Sequence, residues 1–212
     1  MEGFTVQAII TNGFQRGIKN IIPVLVNTIL WILTIWIPYL NVGTSIGMLA
    51  GVIAKMSRGE TISMTEIFNP VYRKRMGEFF IVFGLMFMGI GAGFLFFIIP
   101  GYVIAIAWCL APLFVVDKEL NPLDAIHKSN TATYGKKWII FGALLVIGII
   151  GMVALGIIFG ALGFIFAKVG AQAAILGKIV ALLMVILYIA GYAVFISIQM
   201  AAFSYIYGEL SR

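Results

Sequence analysis

Charge is missing from most of this chain. No charged residue occurs from Ile21 to Ala54, Phe79 to Val116, Trp138 to Ala167 or Ile179 to Gly208, runs of 34, 38, 30 and 30 residues. Cysteine is nearly missing too. Cys109 stands alone in an apolar run, which excludes an internal disulfide and fits a small packed hydrophobe. His127 is the single histidine, so a histidine-rich metal site is excluded. Polar stretches reach only about 20 residues, too short for a second domain. The start, Met1-Glu2-Gly3-Phe4, has no basic n-region or small-residue cleavage site. No cleavable signal peptide is expected, and the first apolar run is the expected targeting signal.

What remains is apolar. Hydrophobic residues make up 62% and charged residues 10%, with mean hydropathy +1.11. Soluble domains carry about 25% charged residues. A helix rises about 1.5 Å per residue and a bilayer core is about 30 Å thick, so about 20 residues cross it. The first two runs exceed one crossing and must fold back. The expected fold is an all-α polytopic membrane domain filling residues 1–212. Crossings are expected near 21–38, 42–57, 78–98, 101–117, 137–160 and 176–206, with the short second one in a shallow or tilted hairpin.

Net charge is +6, and its placement gives a topology. With breaks near Tyr39–Thr44 and Ile99–Gly101, and polar connections at 55–78, 117–137 and 168–178, twelve basic residues and all eight acidic ones fall on one side. Lys168 and Lys178 fall on the other. The positive-inside rule then places both termini in the cytoplasm. A prokaryotic inner membrane is the expected location.

A short amphipathic segment precedes each pair of crossings, giving three expected cytoplasmic interface helices. The first spans about 4–19. The second opens on Ser63-Met64-Thr65-Glu66, a capping box, and ends at Arg73-Lys74-Arg75. The third opens on Asn121-Pro122-Leu123-Asp124, with cap, proline and acid in the order a helix start favours, and leads to Lys136-Lys137. The segments "FQRGIKNIIPVL", "YRKRMGEFFIVF" and "TYGKKWIIFGAL" align loosely, as a weak threefold repeat or as the ordinary basic ends of membrane hairpins.

Glycine is plentiful, at 24 residues. Gly43-Gly47-Gly51, Gly89-Gly93 and Gly156-Gly160 recur every four residues, which puts each set on one helix face. Such faces serve either a homo-oligomer or packing within the bundle. Pro112 should kink the fourth crossing. Intramembrane polar residues mark solute paths or interhelical hydrogen bonds. Asn27 and Gln199 are the candidates for either role, and no acid lies deep in a crossing. Asp124 and His127 share a helix face, but no further ligand or nucleophile joins them by spacing, and no nucleotide fingerprint occurs. No catalytic residue, cofactor, metal or nucleic-acid partner is expected. Arg73, Lys74, Arg75, Lys128, Lys136 and Lys137 are candidates for anionic lipid headgroups, each cation near such a leaflet being worth about 1 kcal/mol.

The segment "IIPGYVIAIAWCLAPLFVVDKELNPLDAIHKSNTATYGKKWIIF" carries Pro100-Gly101, Pro112, Asp117, Ala125, Ser129, Gly135, Trp138 and Phe141. In these positions it resembles a broad prokaryotic superfamily that includes the glycerophosphoryl diester phosphodiesterase membrane domain. "MTEIFNP" and "AAFSYIYGEL" extend the resemblance over nearly the whole chain. It implies six helices with both termini inside. It implies no enzymatic activity, because catalysis in the fused proteins belongs to a soluble part not seen in this sequence. The expected function is a non-enzymatic accessory or scaffold subunit that engages anionic lipid, a partner membrane protein or a second copy of itself. The alternative is a small channel or transporter for a neutral or lipophilic solute.

Overall fold

The computed structural model describes residues 4–169 and 174–211. Part of the expected outer connection, 170–173, and Arg212 lie outside the described residues. Among the described residues ten α-helices follow in order: α1 (Val6–Lys19), α2 (Ile21–Thr34), α3 (Pro38–Gly47), α4 (Lys55–Arg58), α5 (Met76–Phe96), α6 (Ile98–Trp108), α7 (Ala111–Asp117), α8 (Pro122–Thr133), α9 (Lys137–Val169) and α10 (Ala174–Leu210). A π-helical stretch, Met48–Ala54, joins α3 to α4 without a break.

Four described segments are long and apolar enough to cross a membrane: Pro70–Phe96, Ile98–Asp117, Lys137–Phe164 and Ala181–Leu210. A fifth is possible if α1 and α2, bent by 80° at their junction, count as one broken span. The first two expected crossings differ from the others. Helix α2 has 14 residues, about 21 Å of rise, less than the ~30 Å core. The run 38–58 is long enough, but Asn41, Thr44 and Ser45 lower its hydropathy, and its middle is buried inside the protein.

The second expected interface helix takes another form. The capping pair is present, with the Ser63 amide donating to Glu66 Oε2 at 3.2 Å. It closes only a 3-10 turn, Glu66–Phe68, and a second, Pro70–Arg75, follows. Pro70 forces the extended conformation seen at Asn69 and prevents a continuous α-helix. The third segment folds as expected: Asn121 Oδ1 accepts the amides of Leu123 and Asp124 at the start of α8. Gly135, at φ +72°, carries the chain out of that helix.

The α5–α6 hairpin turns at Phe97, earlier than the expected break at 99–101. Pro100 sits in the first turn of α6, where its missing amide costs nothing. Gly101 is required: a methyl group there would lie 2.4 Å from the Phe94 ring. A methyl at Gly93 would reach 3.0 Å from Gly101 Cα, and one at Gly89 would overlap the Trp108 indole. This pair of glycines therefore closes the hairpin on itself.

The other glycine faces divide. Gly43, Gly47 and Gly51 receive the connection that follows α4 instead of another spanning helix. A methyl at Gly47 would stand 2.6 Å from Ile67 Cα, and one at Gly51 would stand 2.6 Å from Glu66 Cγ. Gly156 and Gly160 face open space. The buried core gathers at one end, where Ile9 of α1, Leu113 and Phe114 of α7, Ala125 of α8, Ile140 of α9 and Tyr207 of α10 meet. The far halves of α9 and α10 are largely exposed and apolar, as Ile157, Phe159, Leu182 and Leu183 show.

Two glycine substitutions separate these environments. Gly47→Ala should cost about 1–3 kcal/mol, because backbone must move. Gly156→Ala should be neutral or stabilising by up to about 1 kcal/mol. Thermal unfolding of both variants in one detergent checks the contrast, and equal melting temperatures would contradict it.

Candidate functional site at the charged end of the bundle

Several charged side chains at the packed end hold segments together. Asp117, at the end of α7, is the first node. Arg58 Nη1 lies 2.6 Å from its Oδ1, and the Tyr207 hydroxyl donates to its Oδ2 at 2.6 Å. The Asp117 side chain is 10% exposed. Arg58 also pairs with Glu60. Burial opposes the Arg58 charge, but hydrogen bonds to Glu60 and Asp117 outweigh it and hold the guanidinium more firmly protonated than usual. Three segments distant in sequence, the ends of α4, α7 and α10, are tied by this one carboxylate.

Glu66 is the second node, with a side chain only 5% exposed. Lys55 Nζ approaches its Oε1 at 2.9 Å, and the Tyr72 hydroxyl donates to the same oxygen at 2.6 Å. Burial alone would push this carboxyl up. Hydrogen bonds from Tyr72, Lys55 and the Ser63 amide prevail and hold it below the ordinary glutamate value.

Asn27 fastens the same connection from the other side. Its Oδ1 accepts the Ile67 amide at 3.1 Å, and its Nδ2 donates to the carbonyls of Ser63 and Pro23 at 2.8 Å. Fully buried, it ties a loop to α2. Helix α2 is joined to α3 by Trp31 Nε1 donating to Ser45 Oγ and by the Thr34–Thr44 hydroxyl pair, both at 2.8 Å.

Ser129 mends a broken helix. Pro112 has no amide, so the ladder between α6 and α7 fails. The Cys109 amide bonds back to the Ile106 carbonyl, leaving the Leu110 amide and the Ala107 carbonyl to be satisfied elsewhere. Ser129 Oγ accepts from Leu110 at 3.2 Å and donates to Ala107 at 2.7 Å. Thr133 reaches the same carbonyl at 3.4 Å. Ala125, one turn earlier on α8, is fully buried.

The basic candidates are spread over two regions. Arg73 and Lys74 are exposed on the second 3-10 turn, with the Arg73 stem lying 3.6 Å from a methyl built at Gly43. Arg75 pairs with Glu78 and Glu119. Lys128 and Lys136 lie over the rings of Phe114 and Phe4, and Lys137 donates to Asn130. Trp138 is exposed with its ring edge against Phe141. Gln199 is half-buried beside Gly148, with no hydrogen-bond partner among the described residues. Among those residues no group of three or more His, Cys, Asp or Glu side chains is arranged to hold a metal ion.

Arg58, Tyr207 and Thr133 escaped the sequence reading. Arg58 and Tyr207 lie 59 and 90 residues from Asp117, and no local pattern joins them. Scans against family models, curated proteins and solved structures find no match to this chain.

Ser129→Ala should cost about 1–3 kcal/mol by leaving the Leu110 amide unpaired in the core. Thr131→Ala, on the exposed side of the same helix, should cost under about 0.5 kcal/mol. Comparable losses for both would refute the repair. For Glu66 the folded state favours the ionised carboxyl. Its contribution is complete above the unfolded value of about 4.3 and is lost as pH falls through the lower folded value. Acidification below about pH 4 should therefore lower the melting temperature of the wild type more than that of Glu66→Gln. Equal acid sensitivity would exclude Glu66 as a source.

Proposed function

We propose that this protein is a non-enzymatic membrane scaffold that holds anionic phospholipid at its cytoplasmic end. In this reading α2 and the run 38–58 form a short hairpin beside the four long spans, giving six crossings in a prokaryotic inner membrane. The carrying observation is an imbalance. The buried carboxylates Asp117 and Glu66 are consumed in ties between segments, whereas Arg73, Lys74 and Lys128 are exposed at the surface. An anionic leaflet supplies the missing counter-charge.

Placement of the chain ends supports the shared side of the termini. The Arg16 guanidinium lies 5.3 Å from the centroid of the Tyr205 ring, bringing the basic end of α1 to the last turns of α10. The positive-inside rule makes that side cytoplasmic. The buried polar groups favour scaffolding over solute passage: Asn27, Ser129 and Thr133 spend their hydrogen bonds on backbone. The likeness of the central segment to the phosphodiesterase membrane domain fits the hairpin plan.

The test is to extract the full chain from its native membrane in polymer discs and compare retained lipids with the bulk membrane. Enrichment of phosphatidylglycerol or cardiolipin is expected. Bulk-like lipid composition would overturn the reading. Solute flux in proteoliposomes that disappears in Gln199→Leu would replace it with transport.

A further inference from the structure

The chain turns through 80° between α1 and α2. The Asn20 side chain at this corner points backwards, its Nδ2 donating to the Arg16 carbonyl at 2.9 Å. Helix α2 therefore starts with no side chain capping its first amides. Opposite the corner, α4 ends at Gly59, which takes φ +74°. Between them lies a groove of about 350 Å³ lined by Arg16, Lys19, Asn20, Arg58, Gly59 and Glu60.

The charges in this groove do not balance. Arg58 is held by Glu60 and by Asp117. Glu60 is thereby used, and it is the only carboxylate in the lining. Among the described residues neither Arg16 nor Lys19 has a carboxylate within ion-pair distance. Two cations without a carboxylate partner thus line one groove beside the α1–α2 corner. Exposed apolar side chains adjoin the corner on the same two helices: Phe14, Ile18 and Ile22. A bound anion there has apolar surface within reach for acyl chains.

We propose that the α1–α2 corner is a binding site for a phosphate-bearing headgroup, with Arg16 and Lys19 contacting the phosphate. It rests on the anionic-lipid reading above and gives that reading an address distinct from Arg73 and Lys74. The polar wall and the two cations recognise the phosphate. The neighbouring isoleucines and Phe14 favour a lipid over a soluble ester.

The experiment uses the full chain in phosphatidylcholine nanodiscs containing a small share of phosphatidylglycerol, read by native mass spectrometry. Wild type and Lys118→Gln, which removes an exposed cation outside the headgroup candidates, should retain phosphatidylglycerol. Arg16→Gln/Lys19→Gln should lose roughly thirtyfold in affinity. Arg16→Lys/Lys19→Arg should keep it, and an unchanged melting temperature shows that each variant is folded. Inorganic phosphate and glycerol phosphate, titrated as competitors, distinguish the source. Displacement at millimolar levels assigns the site to free phosphate esters, and resistance assigns it to the lipid. Equal retention by Arg16→Gln/Lys19→Gln overturns the corner site while leaving the lipid reading intact. A wild type that prefers neither phosphatidylglycerol nor phosphate overturns both.

Discussion

Non-helical backbone cannot be buried unless every amide and carbonyl finds a partner, and this constraint governs the structure. Residues 63–67 are the critical case. They lie in irregular conformation against the glycine face of the run 38–58, closer than any side chain would allow. Asn27 reaches across from α2 to accept the Ile67 amide and donate to the Ser63 carbonyl. Glu66 then takes the Ser63 amide and is itself neutralised by Lys55 and Tyr72. Removing Gly47 blocks the approach, and removing Asn27 leaves the approach unsatisfied. The two residues lie on different helices and act on the same five-residue connection.

The same logic explains what the sequence made legible. Long spans show in sequence because lipid demands uniformly apolar helices, so α5, α9 and α10 could be located closely. Cap chemistry is local, so Asn121 could be assigned from its neighbours, whereas Gly135 entered only through resemblance. The second interface segment misled because the Ser63–Glu66 pair is a true cap signal, whereas Pro70 four residues later limits what it can start. Glycine spacing showed close approach but not the partner: the 43–47–51 face meets a loop, the 89–93 face its own hairpin, and the 156–160 face open space. Asp117 entered only through resemblance, because its partners Arg58 and Tyr207 lie 59 and 90 residues away on either side of it.

The two ends of the molecule differ in kind. One end is stitched by ionic and hydrogen-bonded nodes and holds the main buried core. At the other, α9 and α10 continue as bare apolar helices. At 33 and 37 residues they rise about 50 and 55 Å, well beyond a ~30 Å bilayer core. Strong tilt or projection must absorb the excess. Tertiary stability therefore resides in the charged end, and the far halves of α9 and α10 depend on their surroundings.

That division bears on where function can reside. In a bilayer an unpaired buried polar group is costly, so the fold uses its interior polar side chains first. Asn27, Ser129 and Thr133 are committed to backbone and Glu66 to Lys55, Tyr72 and the Ser63 amide, whereas the buried Thr28 and Ser204 hydroxyls have no partner among the described residues. Cations remain in excess at the surface of the stitched end, where the α1–α2 corner gathers two of them in one groove. In the proposed lipid reading, the molecule that completes these electrostatics is an anionic headgroup carried to that edge.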